Sequence, residues 1–263
     1  MAGFPNKTTR TPTGTTNAAP WQTMANAGTQ DPTWVHEYFN DFNTYLPSDW
    51  VVTVGGTGTS ALTAFDGGAL LSTTSAGATD YLYYQLAAAG FKIGSTIASA
   101  TQRPKDTFFK YAGILSATVN TVFYAGLIIP SVTPLAATDG LYIYKAAGAG
   151  TLSLVSKIGG VTTTYPLPIN LTITNTVFFE IGFHVDPYGN IEVFYNPTTG
   201  DNPVEYNQVQ NYSQPVGSVL KIYQSGATSL VTSALLSPSF GIGNTLAGPF
   251  TLTTDYIVAE RHR

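Results

Sequence analysis

Cysteine is absent from the 263 residues, which excludes disulfide staples and thiolate metal sites and leaves the fold to packing and sheet hydrogen bonds. Charge is scarce too: 10% of residues are Asp, Glu, Lys or Arg, against about 25% in an ordinary globular chain. With a net charge of −4, a pI near 5.2 and eleven scattered Lys and Arg, there is no basic footprint for a phosphate backbone, and nucleic-acid binding is not expected. No run approaches the about eighteen apolar residues of a membrane-spanning helix, so no membrane partner is expected. The longest run, residues 123–130, has strand length, and the opening MAGFPNKTTRTPTG lacks the apolar core of a signal peptide. N-x-S/T sequons begin at Asn6, Asn170 and Asn211, which a Thr- and Asn-rich chain produces by chance.

What is abundant is Thr, Gly, Ala, Tyr and Phe, distributed in two ways. Residues 1–33 form a low-complexity segment of Thr, Asn, Ala, Pro and Gly, charged only at Lys7, Arg10 and Asp31, that cannot build a core of its own. Phe4 and Trp21 stand out in it as large apolar anchors, and four prolines reduce the entropy lost on extended docking. The segment reads as an extended arm that binds a partner, with Phe4 and Trp21 as partner-binding residues.

From Trp34 onward, short β-rich runs alternate with Gly, Pro, Asn and Asp, the punctuation of a sandwich or barrel. Strands are expected at 35–42, 50–54, 69–73, 81–85, 95–102, 108–115, 122–129, 140–145, 152–158, 170–174, 177–185, 191–196, 219–224 and 251–258. No segment sustains a helical stripe, and the helix candidates at 81–89 and 230–236 reach about two turns. Parallel strands need long crossovers that the chain lacks, so an antiparallel β-sandwich over 34–263 is expected. The echo of YAGIL (111–115) in YAGLI (124–128), with SATVNT between, reads as adjacent strands joined by a hairpin turn, well short of a repeat architecture.

Polar chemistry concentrates in EIGFHVDPYGNIEVFYN, residues 180–196. At period two, Phe179, Ile181, Phe183 and Val185 share one face, and Ile191, Val193 and Tyr195 continue it after a DPYGN turn. Pairing Asp186 with Asn190 sets His184 opposite Glu192 on a solvated outer face. Glu180 and Glu192 are then about 13 Å apart along the ladder, beyond the 5–10 Å of a glycosidase pair. A calcium loop using Asp186 and Asn190 lacks further carboxylates nearby, although D-x-[FY]-x-N looks like part of a legume-lectin metal loop. A hairpin is the reading, with no catalytic residue, metal ligand or cofactor. GTGTSA (56–61) has no helix after it and is a glycine-rich turn. His36, His184 and His262 have no metal-ligand spacing, and Trp34 and Trp50 read as core or sheet-edge aromatics rather than sugar platforms.

These elements resemble, in order, the concanavalin-like, laminin-G-like β-sandwich modules of structural proteins in tailed-phage virions. The similar parts are WVHEYFNDFNTY with its following DW, GALLSTT, TDGLYIYKAAGAGTLSLVSK, VFFEIGFHVDPYGNIEVFYN and the closing FTLTTDYIVAER, spread over residues 34–263. The resemblance implies an all-β, concanavalin-like jelly roll with no catalysis: a capsid decoration, cement or fibre-type protein. The E-x-D-x-x-E motif of concanavalin-like endoglucanases is missing, because Ile181, Gly182 and Phe183 follow Glu180. The expected partners are the major capsid protein and neighbouring copies of the chain in a homo-oligomer. The expected location is the capsid exterior of the virion, after synthesis in the bacterial host cytoplasm. The alternative is a carbohydrate-binding module of a phage fibre or tail protein, using exposed aromatics and the loop around Asp186.

Overall fold

The computed structural model describes residues 35–65, 68–88, 90–93, 106–148, 150–167, 173–186, 190–197, 218–222 and 234–262. Its strands run β1 Val35–Asn40, β2 Trp50–Gly55, β3 Thr59–Thr63, β4 Ala69–Thr73, β5 Tyr81–Leu86, β6 Thr107–Leu115, β7 Thr121–Ile128 and β8 Gly140–Lys145. They continue with β9 Leu152–Ile158, β10 Val161–Pro166, β11 Phe178–Val185, β12 Ile191–Pro197, β13 Ser218–Ile222, β14 Ser237–Asn244 and β15 Thr251–His262. The helical elements among the described residues are two 3₁₀ turns, Pro47–Asp49 and Pro134–Ala136, each opened by a proline whose missing N–H costs nothing there. None is long and apolar enough to cross a membrane.

The strands form two antiparallel sheets, as the short connections require. An eight-stranded sheet runs β13-β12-β11-β6-β15-β4-β3, with β1 also on β15, and a seven-stranded sheet runs β10-β9-β8-β7-β14-β5-β2. β15 serves three neighbours because it is twelve residues long and its register on β6 shifts between Thr254 and Tyr256. On one side it pairs β6; on the other, Thr251–Thr254 pair with β4 and Ile257–His262 with β1. Such a bulge bends a strand, here between two partners.

The core lies between the sheets and is aromatic. Trp50, 4% exposed, meets Phe240 edge-on at 5.3 Å, and Phe240 stacks on Tyr84 at 4.7 Å. Tyr111 and Phe179 both lie against Phe123. The Tyr111 hydroxyl shares a hydrogen bond of 2.8 Å with Thr254 Oγ1, which satisfies a polar atom that burial would otherwise penalise. The concanavalin-like β-sandwich expected from the sequence is the observed fold, and Trp50 is a core residue as expected.

Three expectations are corrected. At 81–89 the helix candidate gives way to the strand expected at 81–85, which runs through Leu86 with Leu82 and Tyr84 facing the core and Tyr83 the opposite side. The YAGIL and YAGLI runs are not neighbours in a sheet: β6 and β7 belong to opposite sheets. Their phases are also opposite, Tyr111 pointing into the core and Tyr124 joining a second cluster on the far side of its own sheet. The third correction is that β3, β10 and β14 were not anticipated. β14 carries Pro238, Gly241 and Gly243, which read as loop residues, yet it is central and wholly buried. The turn expected at GTGTSA is confined to residues 56–58, with Gly56 at φ 84°, and Thr59, Ser60 and Ala61 open β3. The arm 1–33, Trp34, the expected strand at 95–102, most of 170–174 and most of the helix candidate at 230–236 lie outside the described residues.

Candidate functional site

β11 and β12 form the hairpin that the spacing predicts. His184 pairs with Glu192, Val185 with Ile191 and Glu180 with Asn196. Phe179, Ile181, Phe183, Val185, Ile191, Val193 and Tyr195 all pack in the core. Asp186 closes the turn: it accepts from the Asn190 backbone N–H at 2.8 Å and from Asn190 Nδ2 at 2.7 Å, and its own N–H donates to the Asn190 carbonyl. Pro187, Tyr188 and Gly189 lie outside the described residues. Four ladder positions separate Glu180 from Glu192, so the two carboxylates do not converge.

The other face of this hairpin is not the solvated surface expected. Lys110 Nζ, on neighbouring β6, lies 3.0 Å from Glu180 Oε1, with both side chains largely buried. Tyr256 donates to the same carboxylate oxygen, and the Lys110 ammonium sits 5.0 Å from the Tyr256 ring centre. Burial, with the Glu180 charge adding to it, pushes the Tyr256 phenol well above its ordinary pKa, so it is a neutral donor. The carboxylate thus has a cation and a phenol as partners, an arrangement that holds strands β6, β11 and β15 in register. His184 Nε2 lies 2.7 Å from Asp106 Oδ1, and its ring stacks on Phe108. Phe194, which the period of two sets on the same face as Glu192, is 4% exposed. Among the described residues no group of three or more His, Cys, Asp or Glu is placed to hold a metal ion.

A different surface emerges on the outer side of the seven-stranded sheet. Tyr81 and Tyr83 on β5, Tyr124 on β7, and Tyr142 and Tyr144 on β8 form a chain of ring contacts. Tyr81 stacks on Tyr83 at 4.5 Å, Tyr83 meets Tyr124 at 5.3 Å, Tyr124 meets Tyr142 at 6.3 Å and Tyr142 meets Tyr144 at 6.5 Å. β14, which runs between β5 and β7, makes room with glycine. A Cβ at Gly241 would lie 2.7 Å from the Leu82 carbonyl oxygen and from the Tyr83 ring, and 2.9 Å from Tyr124. Tyr124 and Tyr142 are buried, whereas Tyr81, Tyr83 and Tyr144 are half-exposed. Burial pushes the Tyr83 and Tyr142 phenols up to about 12, so both are uncharged at neutral pH. The loop after β7 is tied beside it by Gln85, which donates to the Ile129 carbonyl and to Ser239 Oγ and accepts from the Ser131 N–H.

The second surface is an edge. β9 and β10 are joined by Gly159-Gly160 at φ 56° and 86°, the left-handed pair of a two-residue hairpin turn. The Leu167 N–H bonds the Leu152 carbonyl, so Val161, Thr163 and Tyr165 are the positions bonded to β9. The backbone groups of Thr162 and Thr164 therefore point away from the sheet. Val161 to Thr164 are all exposed, Val161 at 70%. β2, the opposite edge of this sheet, exposes Val51 and Val54.

Sequence reasoning missed both surfaces, and each left a signal. Tyr81, Tyr83, Tyr142 and Tyr144 alternate at period two, and the Gly-Gly before VTTTY marks a hairpin. Phe4 and Trp21, the residues expected to bind a partner, lie outside the described residues.

No protein-family model matches the chain, and no curated protein matches it in sequence. Its fold is similar to solved structures at low identity. A protein of unknown function from Shewanella oneidensis MR-1 has a TM-score of 0.53 and 11% identity, over 88% of this chain and 87% of that one. Peanut lectin has 0.52 and 11%, over 86% and 97%. An endo-β-1,4-glucuronan lyase from the fungus Trichoderma reesei has 0.51 and 12%, over 84% and 94%. A lectin and an enzyme share this architecture, so the likeness shows the fold and assigns no activity.

Proposed function

We propose that this chain is a non-enzymatic virion structural protein of the capsid decoration or cement type, attached to the outside of a phage capsid through residues 1–33 and the edges of its sandwich. The observation that carries the reading is β10, an exposed edge without a charged residue. Soluble proteins usually protect such edges with Lys, inward charges or bulges, because open N–H and C=O groups recruit strands from other chains. Here the open donors and acceptors suit strand addition by a neighbour, which needs neither catalytic groups nor charge steering. Many identical sites on a shell then multiply modest affinities. The phage assignment rests on the resemblance of the sequence elements to virion β-sandwich modules. The test is removal of residues 1–33. The truncated protein is expected to melt at nearly the same temperature and to lose binding to purified capsids; undiminished decoration would overturn the role of the arm.

The tyrosine row favours a second reading, a carbohydrate-binding module of a phage fibre or tail protein. Half-exposed, neutral rings offer stacking faces and phenol hydroxyls to an uncharged sugar. A glycan array separates the two: selective binding abolished by Tyr83→Ala and Tyr144→Ala supports this reading, and an array with no signal removes it.

A further inference from the structure

We propose that two copies of the chain pair edge to edge through β10, antiparallel about a two-fold axis at Thr163, so that the two seven-stranded sheets run on into one. The inference deepens the assembly reading above, because it names which edge meets which partner.

The parity of the ladder determines the geometry. Thr162 and Thr164 present their N–H and C=O groups outward, and no described residue pairs with them. Pro166 has no N–H, so the usable edge is short and centred on Thr163. In the antiparallel two-fold arrangement Thr162 of one copy faces the partner's Thr164, and the partner's Thr162 faces Thr164. Each pair exchanges two hydrogen bonds, four in all. Thr163 then meets its own symmetry mate as a non-hydrogen-bonded pair, with Cα atoms about 4.5 Å apart. Shifting the register by one residue would set inward-bonded positions against open ones and lose all four bonds.

The side chains suit a second copy for two reasons. Val161, 70% exposed in the single chain, falls beside the partner's Tyr165, a β-branched and aromatic cross-strand pair. The strand is also uncharged, so nothing in it repels an identical strand, as a Lys or Glu at these positions would. A two-fold contact closes on itself and yields a dimer rather than a fibre.

Because the chain contains no cysteine, a single introduced thiol reports its own surroundings. Thr163→Cys is expected to form a disulfide-linked dimer under mild oxidation, since about 4.5 Å between Cα atoms is within disulfide range. Val132→Cys, at a site 73% exposed and away from β10, serves as the control and is expected to form no disulfide-linked dimer. By light scattering the unmodified protein is expected to be dimeric. Thr162→Pro and Thr164→Pro each delete an outward N–H without touching the bonds to β9; both are expected to be monomeric with nearly unchanged melting temperatures. A monomeric parent, a Thr163→Cys protein that cross-links no faster than the control, or a dimer that survives both prolines would overturn the proposal. So would a dimer that disappears when residues 1–33 are removed, because the arm would then be the added strand. All of these are read on purified protein without capsids, so a failed dimer leaves the capsid-binding test to stand or fall separately.

Discussion

The ring of His184 lies flat on Phe108, centroids 4.3 Å apart and planes 6° from parallel, while its Nε2 is 2.7 Å from Asp106 Oδ1. A residue that the strand pattern assigns to the outer face therefore makes a stacking contact and a polar one with β6 and the residue just before it. His184 locks two strands together from outside the core.

A graded series of substitutions follows from that placement. Phe183→Ala, fully buried between Phe109 and the core, is expected to cost about 3–5 kcal/mol. His184→Ala loses one hydrogen bond and one aromatic contact, about 1–2 kcal/mol. Glu192→Ala is expected to change stability by less than about 1 kcal/mol. Urea unfolding measures all three, and an effect of Glu192→Ala as large as that of Phe183→Ala would show the ladder to be out of register.

Lys145 is fully buried, its ammonium donating to the carbonyls of Thr118, Thr121 and Ala146. Lys145→Met fills the same space but strands at least two of these carbonyls, and is expected to lose about 2–4 kcal/mol, judged from the penalty for unsatisfied buried acceptors. A Met variant as stable as the parent by urea denaturation would mean that the carbonyls find other donors.

Stability against pH has opposite contributions on the alkaline side. Burial lowers Lys145 to about 8 from 10.5. Between those values the unfolded chain holds a proton the folded one has released, so stability rises with pH from about 8 toward 10.5. Burial raises Tyr83, Tyr142 and Tyr195 to about 12 from 10. There the unfolded chain ionises first, and stability falls as pH climbs from about 10 to 12. Chemical denaturation from pH 7 to 11.5 is expected to show a rise followed by a steep fall, and Lys145→Met is expected to abolish the rise alone.

Glycine substitutions test how tightly the tyrosine row is built. A Cβ on Gly126 would lie 2.4 Å from the Leu141 carbonyl oxygen and the Tyr142 Cα, backbone atoms that cannot step aside. Gly126→Ala is expected to cost about 2–3 kcal/mol. Gly159→Asn, in the β10 hairpin with open space around it and φ 56°, is expected to cost less than about 1 kcal/mol, because Asn tolerates that backbone conformation. Melting temperatures of the two variants check the contrast.

The sequence by itself determined the class of fold and the ladder of the β11-β12 hairpin. Both depend on local period and turn chemistry: apolar residues two apart share a face, and a turn bounded by Asp186 and Asn190 admits one register that keeps them together. Which sheet a strand joins, and whether its second face meets solvent, depend on residues far away in the chain. The Tyr-Ala-Gly runs of β6 and β7 are alike locally, yet Tyr111 bonds Thr254, 143 positions away, and Tyr124 joins the outer tyrosines. Lys110, Glu180 and Tyr256 come from three strands and meet only because β15 lies beside β6 and β6 beside β11. The tyrosine row and the open edge of β10 are decisions of the same kind. No short window of sequence carries the strand order β10-β9-β8-β7-β14-β5-β2, because that order is set by how two sheets bury their faces against each other.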